Sequence, residues 1–323
     1  MVVSTTLNHR IFENVVTERS RSHIEKKKLI GYNPIIQKIK LAGTEVFVLR
    51  LDLIHPLISG NKWFKLKYNV EEARKQGCDT ILTFGGAFSN HILATAVACK
   101  EFGFKSVGVI RGEKASETNS TLSEAKKHGM QLAFVSREDY DLKENENYIE
   151  GFRNWFGNFY VVPEGGNNEL GIKGCGEVLP KENDFDIIFC ASGTGTTFKG
   201  IERSLKKDQK LFGISVVKGV GELNSLPNMI SDYHFSGYAK HTKVLLEFKN
   251  EFEKEHNIPL DYVYTAKLFF AVDDLISKNK IPDGKKVLVI HSGGLQGNKG
   301  YEERYLLIPN RNVNDAQGND CLG

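Results

Sequence analysis

Three segments concentrate residue types that could do chemistry. In LISGNKWFKLKYN, a Gly60-Asn61 turn ends an extended run, and Lys62 opens a helical pattern through Trp63, Leu66, Val70 and Ala73. A lysine beside a helix N-terminus feels the positive end of the dipole, which disfavours its protonated form and makes a neutral, nucleophilic amine more accessible. By position alone Lys62 also reads as a surface lysine, as do Lys65 and Lys67. In TFGGAFSNHILATAVACKEFG, a buried strand over 80–84 passes Gly85 and Gly86 and reaches Ser89, an N-cap before an apolar helix over 90–102. Strand, glycine turn and helix start make an anion site, where the N–H groups of Ser89, Asn90 and His91, the Ser89 hydroxyl and the Asn90 amide face a carboxylate or phosphate. The plainer alternative is that Ser89 only caps its helix. In DIIFCASGTGTTFKG, a strand over 186–190 feeds Gly193, Thr194, Gly195, Thr196 and Thr197 before another helix. The glycines let successive amides converge on a phosphate while the threonines add hydroxyls. Ile201 after Gly200 excludes a P-loop, and Phe198 stands where a dinucleotide-binding loop needs Gly, so a compact monoester phosphate fits best.

These residues need a scaffold that brings strand ends together. From about Glu45, short β-branched runs (EVFVLRL, TILTF, SVGVI, QLAFV, FYVVP, DIIFC, FGISVV, KVLVIH) alternate with helical patterns. That rhythm predicts an α/β fold of two mostly parallel, twisted sheets with helices on both faces. In such sheets ligands bind outside the carboxyl ends of strands. The strand ends after Phe84, Cys190 and His291 carry small or hydroxyl residues, Ser292 and Gly293 among them. Tyr264 and Thr265 open an apolar helix nearby, and Tyr238 in HFSGYAK is a further polar aromatic, for which spacing alone also allows a packing role. The stretches 139–150 and 164–177 are the candidate domain boundaries.

Composition narrows the classes. The 323 residues are 40% hydrophobic and 26% charged, with 31 Gly and 8 Pro, enough for about two globular domains and unlike a rod or a disordered chain. Apolar runs such as 186–191 and 286–291 have strand length, well short of the roughly 18 residues of a membrane span. A net charge of +3 gives no nucleic-acid signature, and the interrupted basic cluster at 19–28 reads as a solvated arm. Five cysteines without a CxxC pair read as reduced, buried small hydrophobes, and nine scattered histidines without ligand spacing predict no metal site. With no leader-like opening, a cytosolic location is expected. The polar tail after Pro309 is expected to fray.

Taken in order, VLRLDL, GNKWFKL, FGGAFSNH, PEGGNNELG, ASGTGTT, DYVYTAK and HSGGLQG make the chain resemble the pyridoxal-phosphate-dependent enzymes that include 1-aminocyclopropane-1-carboxylate (ACC) deaminase and D-cysteine desulfhydrase. The likeness runs from about Asn33 to about Pro309. It implies fold type II, with 1–63 and 177–323 forming a large cofactor-binding domain around a small inserted domain, 64–176, and a homodimer. By the resemblance, Lys62 looks like the lysine that holds the cofactor covalently. Asn90 would bond the ring oxygen, while Ser89, Asn90 and His91 would hold the substrate carboxylate and Ser89 would also act catalytically, moving protons. Gly193, Thr194, Gly195, Thr196 and Thr197 would hold the phosphate, helped by Lys65. Tyr264 would act beside the ring, Tyr238 near the substrate, and Thr265 against the pyridine nitrogen.

The chain departs from the ACC deaminases at Thr265, where they carry Glu, and at Ser292, where they typically carry Leu. Glu keeps the ring nitrogen protonated and the ring a strong electron sink, whereas a Thr hydroxyl only shares a hydrogen bond. A weaker sink suits elimination with a departing group better than cyclopropane opening, so the resemblance implies a D-cysteine desulfhydrase-like lyase acting on a small amino acid. ACC deaminase is the alternative, and a non-catalytic phosphometabolite-binding protein is the alternative outside the enzyme class. Phe88, where Gln is common, and the continuation AKHT after Tyr238 bear on the substrate pocket.

Overall fold

The computed structural model describes residues 31–112, 119–218, 226 and 228–306. The basic cluster at 19–28, the tail after Pro309 and Cys321 lie outside the described residues. The strands are β1 (Ile36–Leu41), β2 (Thr44–Arg50), β3 (Thr80–Gly86), β4 (Lys105–Arg111), β5 (Met130–Val135), β6 (Phe159–Val162), β7 (Ile187–Ser192), β8 (Lys210–Ser215), β9 (Met229–Ile230) and β10 (Val287–His291). The helices are α1 (Asn61–Lys75), α2 (Asn90–Phe102), α3 (Ser120–Lys127), α4 (Arg137–Asp141), α5 (Glu146–Gly151), α6 (Arg153–Phe156), α7 (Glu169–Cys175), α8 (Thr196–Glu202), α9 (Lys243–His256), α10 (Thr265–Ser277) and α11 (Asn298–Tyr305).

Two sheets form, as the strand rhythm predicts. One has the order β1-β2-β10-β7-β8-β9 and the other β5-β4-β3-β6. All pairings are parallel except that of β1 with β2, which a tight turn makes antiparallel. All eight runs read as strands from the sequence are strands. The four-stranded sheet is built wholly within 80–162 and interrupts the chain between β2 and β7, and α1 runs unbroken across position 63.

Both faces of each sheet are covered, which is why the central strands read as continuous apolar runs. In β10, Val287 and Val289 pack with Val48, Phe189 and Phe269 on one face, while Leu288 and Ile290 pack with Leu49, Phe64 and Phe198 on the other. In β3, Ile81 joins Trp63, Ile92 and Leu122, whereas Leu82 and Phe84 meet Val109, Tyr140 and Phe159. The four described cysteines are buried and free. Among the described residues no helix is long and apolar enough to cross a membrane.

Register sets the site. Ile290 of β10 pairs with Leu49 of β2 on one side and Cys190 of β7 on the other, so these strands end level and their following loops emerge side by side.

Candidate active site

A cleft of about 1470 Å³ lies at those strand ends. Gly86, Arg111, Ser192 and Ser292, which close or follow β3, β4, β7 and β10, all line it. Lys62, Lys65, Ser89, Asn90, His91, Gly193, Thr194, Gly195, Thr197, Tyr238 and Tyr264 line it too. Among the expected site residues, Thr196 and Thr265 do not.

Gly60 delivers Lys62 to this cleft. Its φ of +67° suits glycine, and a Cβ there would stand 1.8 Å from the Ser292 carbonyl oxygen. That carbonyl accepts the Asn61 N–H at 3.2 Å, so the first turn of α1 rests directly on the loop after β10. The Asn61 side chain then bridges two site residues: its Nδ2 donates to Thr197 Oγ1 at 2.8 Å, and its Oδ1 accepts from Lys62 Nζ at 2.9 Å. Burial first, and then the neighbouring Lys65 charge, lowers the Lys62 amine to about 7, with Asp261 opposing the shift. The direction is the one expected from a helix start, but burial is its main cause.

Gly195, at φ +81°, starts α8 without a side-chain cap. Thr194 and Thr197 present hydroxyls at the cleft wall, and the buried Ser192 hydroxyl beside them has no protein partner. Thr196 is fully buried and does not line the cleft: its hydroxyl meets that of Thr194 at 2.9 Å and donates to Asn167 Oδ1 at 2.9 Å. It therefore braces two residues that do line it.

At the start of α2, Ser89 is a true N-cap, with Oγ accepting from the His91 and Ile92 amides. Its own N–H donates to Gly86 O at 3.0 Å. Two of the three amides expected to face an anion are thus engaged, a correction to the sequence reading, and the Asn90 N–H is the uncommitted donor of the three. Asn90 Nδ2 donates to Gly294 O at 3.3 Å while its Oδ1 is buried without a partner. His91 Nε2 lies 2.9 Å from Thr83 Oγ1, whose own proton goes to Val162 O, so Nε2 carries the imidazole hydrogen. Burial, with the Lys62 and Lys65 charges, pushes His91 down to about 3 and leaves Nδ1 a bare, unpartnered acceptor.

Asp261 organises the opposite wall. Oδ1 accepts from the Thr265 N–H and Oγ1, both at 2.8 Å, and Oδ2 accepts from the Val263 and Tyr264 N–H groups, both at 3.0 Å. This fixes Tyr264 at the mouth of α10, where its ring crowds Gly193: a Cβ on Gly193 would lie 3.1 Å from Tyr264 Cε1. Burial first, then Tyr238 and Asp261, raises the Tyr264 phenol well above its ordinary value, so it is held protonated. Tyr238 meets Tyr264 edge-on, with ring centroids 6.2 Å apart. Thr265 is 0% exposed, and its hydroxyl is enclosed between the Asp261 N–H and carboxylate. Ser292, not Thr265, presents a hydroxyl-bearing side chain to the cleft at this wall.

Asn61 and Asp261 are the functional residues that sequence reasoning missed. The available signals were an amide adjoining the lysine and a carboxylate four residues ahead of a helix start. The set as a whole fits pyridoxal phosphate. A cradle of glycine and threonine with an orphaned buried Ser192 hydroxyl suits a monoester phosphate, an amine near neutrality suits an aldehyde, and the unpartnered Asn90 amide oxygen marks a polar group still to be matched.

Comparison with known proteins agrees. Residues 26–293 match the family described as "Pyridoxal-phosphate dependent enzyme". A Pyrococcus furiosus protein named "Putative 1-aminocyclopropane-1-carboxylate deaminase" is 30% identical over 309 residues, spanning 86% of this chain and 92% of that protein. The Arabidopsis thaliana "Bifunctional D-cysteine desulfhydrase/1-aminocyclopropane-1-carboxylate deaminase, mitochondrial" is 30% identical over 294 residues, spanning 79% of this chain and 73% of that protein. A solved structure described as "Crystal Structure Analysis of the ACC deaminase homologue" superposes with a TM-score of 0.75 at 28% identity, covering 88% of this chain and 97% of that one. The chain belongs to the pyridoxal-phosphate-dependent enzymes, in the family that holds ACC deaminases and D-cysteine desulfhydrases.

Proposed function

We propose that the chain is a D-cysteine desulfhydrase-like lyase, which eliminates and deaminates a small amino acid to a 2-oxo acid and ammonia, with sulfide when the substrate is cysteine. One observation carries this choice. The wall formed by Asp261, Thr265 and Ser292 offers the cleft a hydroxyl and no free carboxylate, because all four acceptor sites of Asp261 are taken. A hydroxyl supports a weaker electron sink than a carboxylate, which suits loss of a β-substituent that departs with its electrons.

In this reading the cofactor, when bound, supplies a conjugated ring that draws electrons from the bonds at the substrate's Cα. Gly193, Thr194, Gly195 and Thr197, with Lys65, would hold its phosphate, and Asn90 would hold its ring oxygen. Lys62 would hold its aldehyde end, and Nζ would take the Cα proton of a bound substrate. A neutral amine held in place performs that transfer without diffusion. The Asn90 N–H and the Ser89 hydroxyl hold the substrate carboxylate, with His91 Nδ1 as a further acceptor toward the substrate. Tyr264, held protonated, keeps a proton beside the reacting atoms, and Tyr238 flanks the substrate. Thr265 acts on the ring end through its bond to Asp261 rather than by direct contact. The division into 1–63 with 177–323 around 64–176, a homodimer and a cytosolic location belong to the same proposal; the separation of the two sheets supports the first.

The test is a pair of assays on one preparation: sulfide and 2-oxo acid from D-cysteine, and 2-oxobutyrate from ACC. The proposal expects kcat/KM for D-cysteine to exceed that for ACC at least tenfold. The reverse order would establish the second reading, ACC deaminase, which the names of the Pyrococcus relative and the crystal homologue favour.

A further inference from the structure

Lys267 is 0% exposed, and its ammonium is buried under the cleft rather than in it. It lies one turn into α10, three residues after Tyr264. Nζ donates to the carbonyl oxygens of His234 at 2.9 Å and Gly237 at 2.7 Å. Those carbonyls bracket a turn in an uncommon conformation: Phe235, Ser236 and Gly237 have φ of 51°, 69° and 122°, and Ala239 follows at 55°. Consecutive L-residues in the left-handed region persist only where their surroundings over-determine them. Here the surroundings are α10. Phe235 packs edge-on against Phe270 with centroids 5.2 Å apart, Tyr233 donates to Asp274 Oδ2 at 2.6 Å, and Lys267 closes the clasp at the end nearest the cleft.

The residue this turn delivers is Tyr238. It is 46% exposed, has no core of its own to seat it, and lines the cleft with its ring 6.2 Å from that of Tyr264. An ammonium is suited to the task because it adds a second donor to each of two carbonyls that otherwise accept only a local N–H, His234 O from Gly237 N at 3.0 Å and Gly237 O from Lys240 N at 3.2 Å, and so ties the turn to α10. Burial lowers the Lys267 amine to about 8, and Asp261 opposes that shift.

We propose that Lys267 is a positioning residue for Tyr238: its two hydrogen bonds to the His234 and Gly237 carbonyls hold the left-handed turn 235–237 and thereby set the tyrosine at the substrate side of the cleft. Lys267 itself touches neither substrate nor cofactor. The catalytic part of this inference rests on the lyase reading above; the structural part does not.

The test is a double-mutant cycle on the holoenzyme with K267M, Y238A and the pair, alongside hydrogen exchange of the 234–239 amides. K267M is expected to lower kcat/KM at least tenfold while the cofactor absorbance and its borohydride fixation on Lys62 stay as in the wild type. In the Y238A background the same change is expected to cost less than twofold. Exchange at 234–239 is expected to rise at least tenfold, with α10 still protected. A K267M effect that persists undiminished in Y238A, or unchanged exchange at 234–239, would overturn the proposal. Should K267M fail to fold, K267Q, which keeps the length and one donor, runs the same cycle with the same criteria. If no substrate turns over at all, the lyase reading fails while the exchange result still decides whether Lys267 holds the turn.

Discussion

The side-chain nitrogen of Lys62 lies 5.9 Å from the centroid of the Tyr264 ring, so the amine and the phenol share one wall of the cleft although they arrive from opposite ends of the chain. A cation over an aromatic face is attracted to it, but burial here favours the neutral amine, which keeps Lys62 ready to react. Lys62→Ala should therefore leave the fold intact, abolish borohydride fixation of the cofactor, and cut turnover by roughly 10³-fold or more. Absorbance after reduction and mass mapping of the labelled peptide check it. Label on another lysine would remove Lys62 from the mechanism.

Cofactor capture should follow the Lys62 titration. A lysine lowered to about 7 is mostly protonated below that pH and mostly neutral above it, so the rate at which apoprotein binds pyridoxal phosphate should rise through about pH 7 and level off about one unit higher. An ordinary lysine would keep the rate climbing toward its usual pKa of 10.5. Since the Lys65 charge contributes to the lowering, Lys65→Met should move the midpoint upward. Stopped-flow absorbance across that range reads both.

Gly60→Ala should destabilise the protein by about 2 kcal/mol or more, because it combines a left-handed backbone with a direct clash on the Ser292 carbonyl. The denaturant midpoint reports this. A variant as stable as the parent would show that the loop after β10 yields easily, and the fixed placement of Lys62 would then need another source.

Thr265→Glu, the change toward the ACC deaminase pattern, should not convert the enzyme. It places a second carboxylate beside Asp261 in a fully buried position already closed by hydrogen bonds, at a cost of roughly 3 kcal/mol or more. The expected outcome is a lower Tm without new 2-oxobutyrate production. An unchanged Tm with gained ACC turnover would show that position 265 faces the cleft after all.

Asn61→Ala removes both arms of the bridge between Thr197 and Lys62. Two neutral hydrogen bonds of this kind are worth about 1–3 kcal/mol together, so cofactor affinity should fall roughly tenfold or more, with a modest drop in Tm. Equilibrium titration of the apoprotein measures it.

The scaffold was legible because periodicity and burial agree. Each strand run read from the sequence is apolar on one or both faces, and the Ser89 cap and the buried stripe Trp63, Leu66, Val70 and Ala73 of α1 lie where spacing put them. Strand β1 escaped notice because IQKIKL mixes exposed and buried positions at a sheet edge, and β9 because two residues carry no period. Within the site, residue types were readable but hydrogen-bond partners were not. Nothing local in the sequence says that Ser89 would use its own N–H in a turn, that Thr196 would face Asn167, or that Thr265 would close on Asp261. Those choices are made by which acceptor packing brings nearest, and packing is a property of the assembled sheets.

The register of β10 sets the order in which the pocket can come into being. This strand is inserted between β2 and β7, yet it is the last of the ten along the chain, and its following loop is the support on which Gly60 and Asn61 rest. On the ribosome, Lys62 leaves the exit tunnel long before that support is synthesised. The nascent amine therefore meets vitamin B6 as an ordinary solvated lysine, and selective loading with cofactor has to wait until β10 and the loop after it have been made.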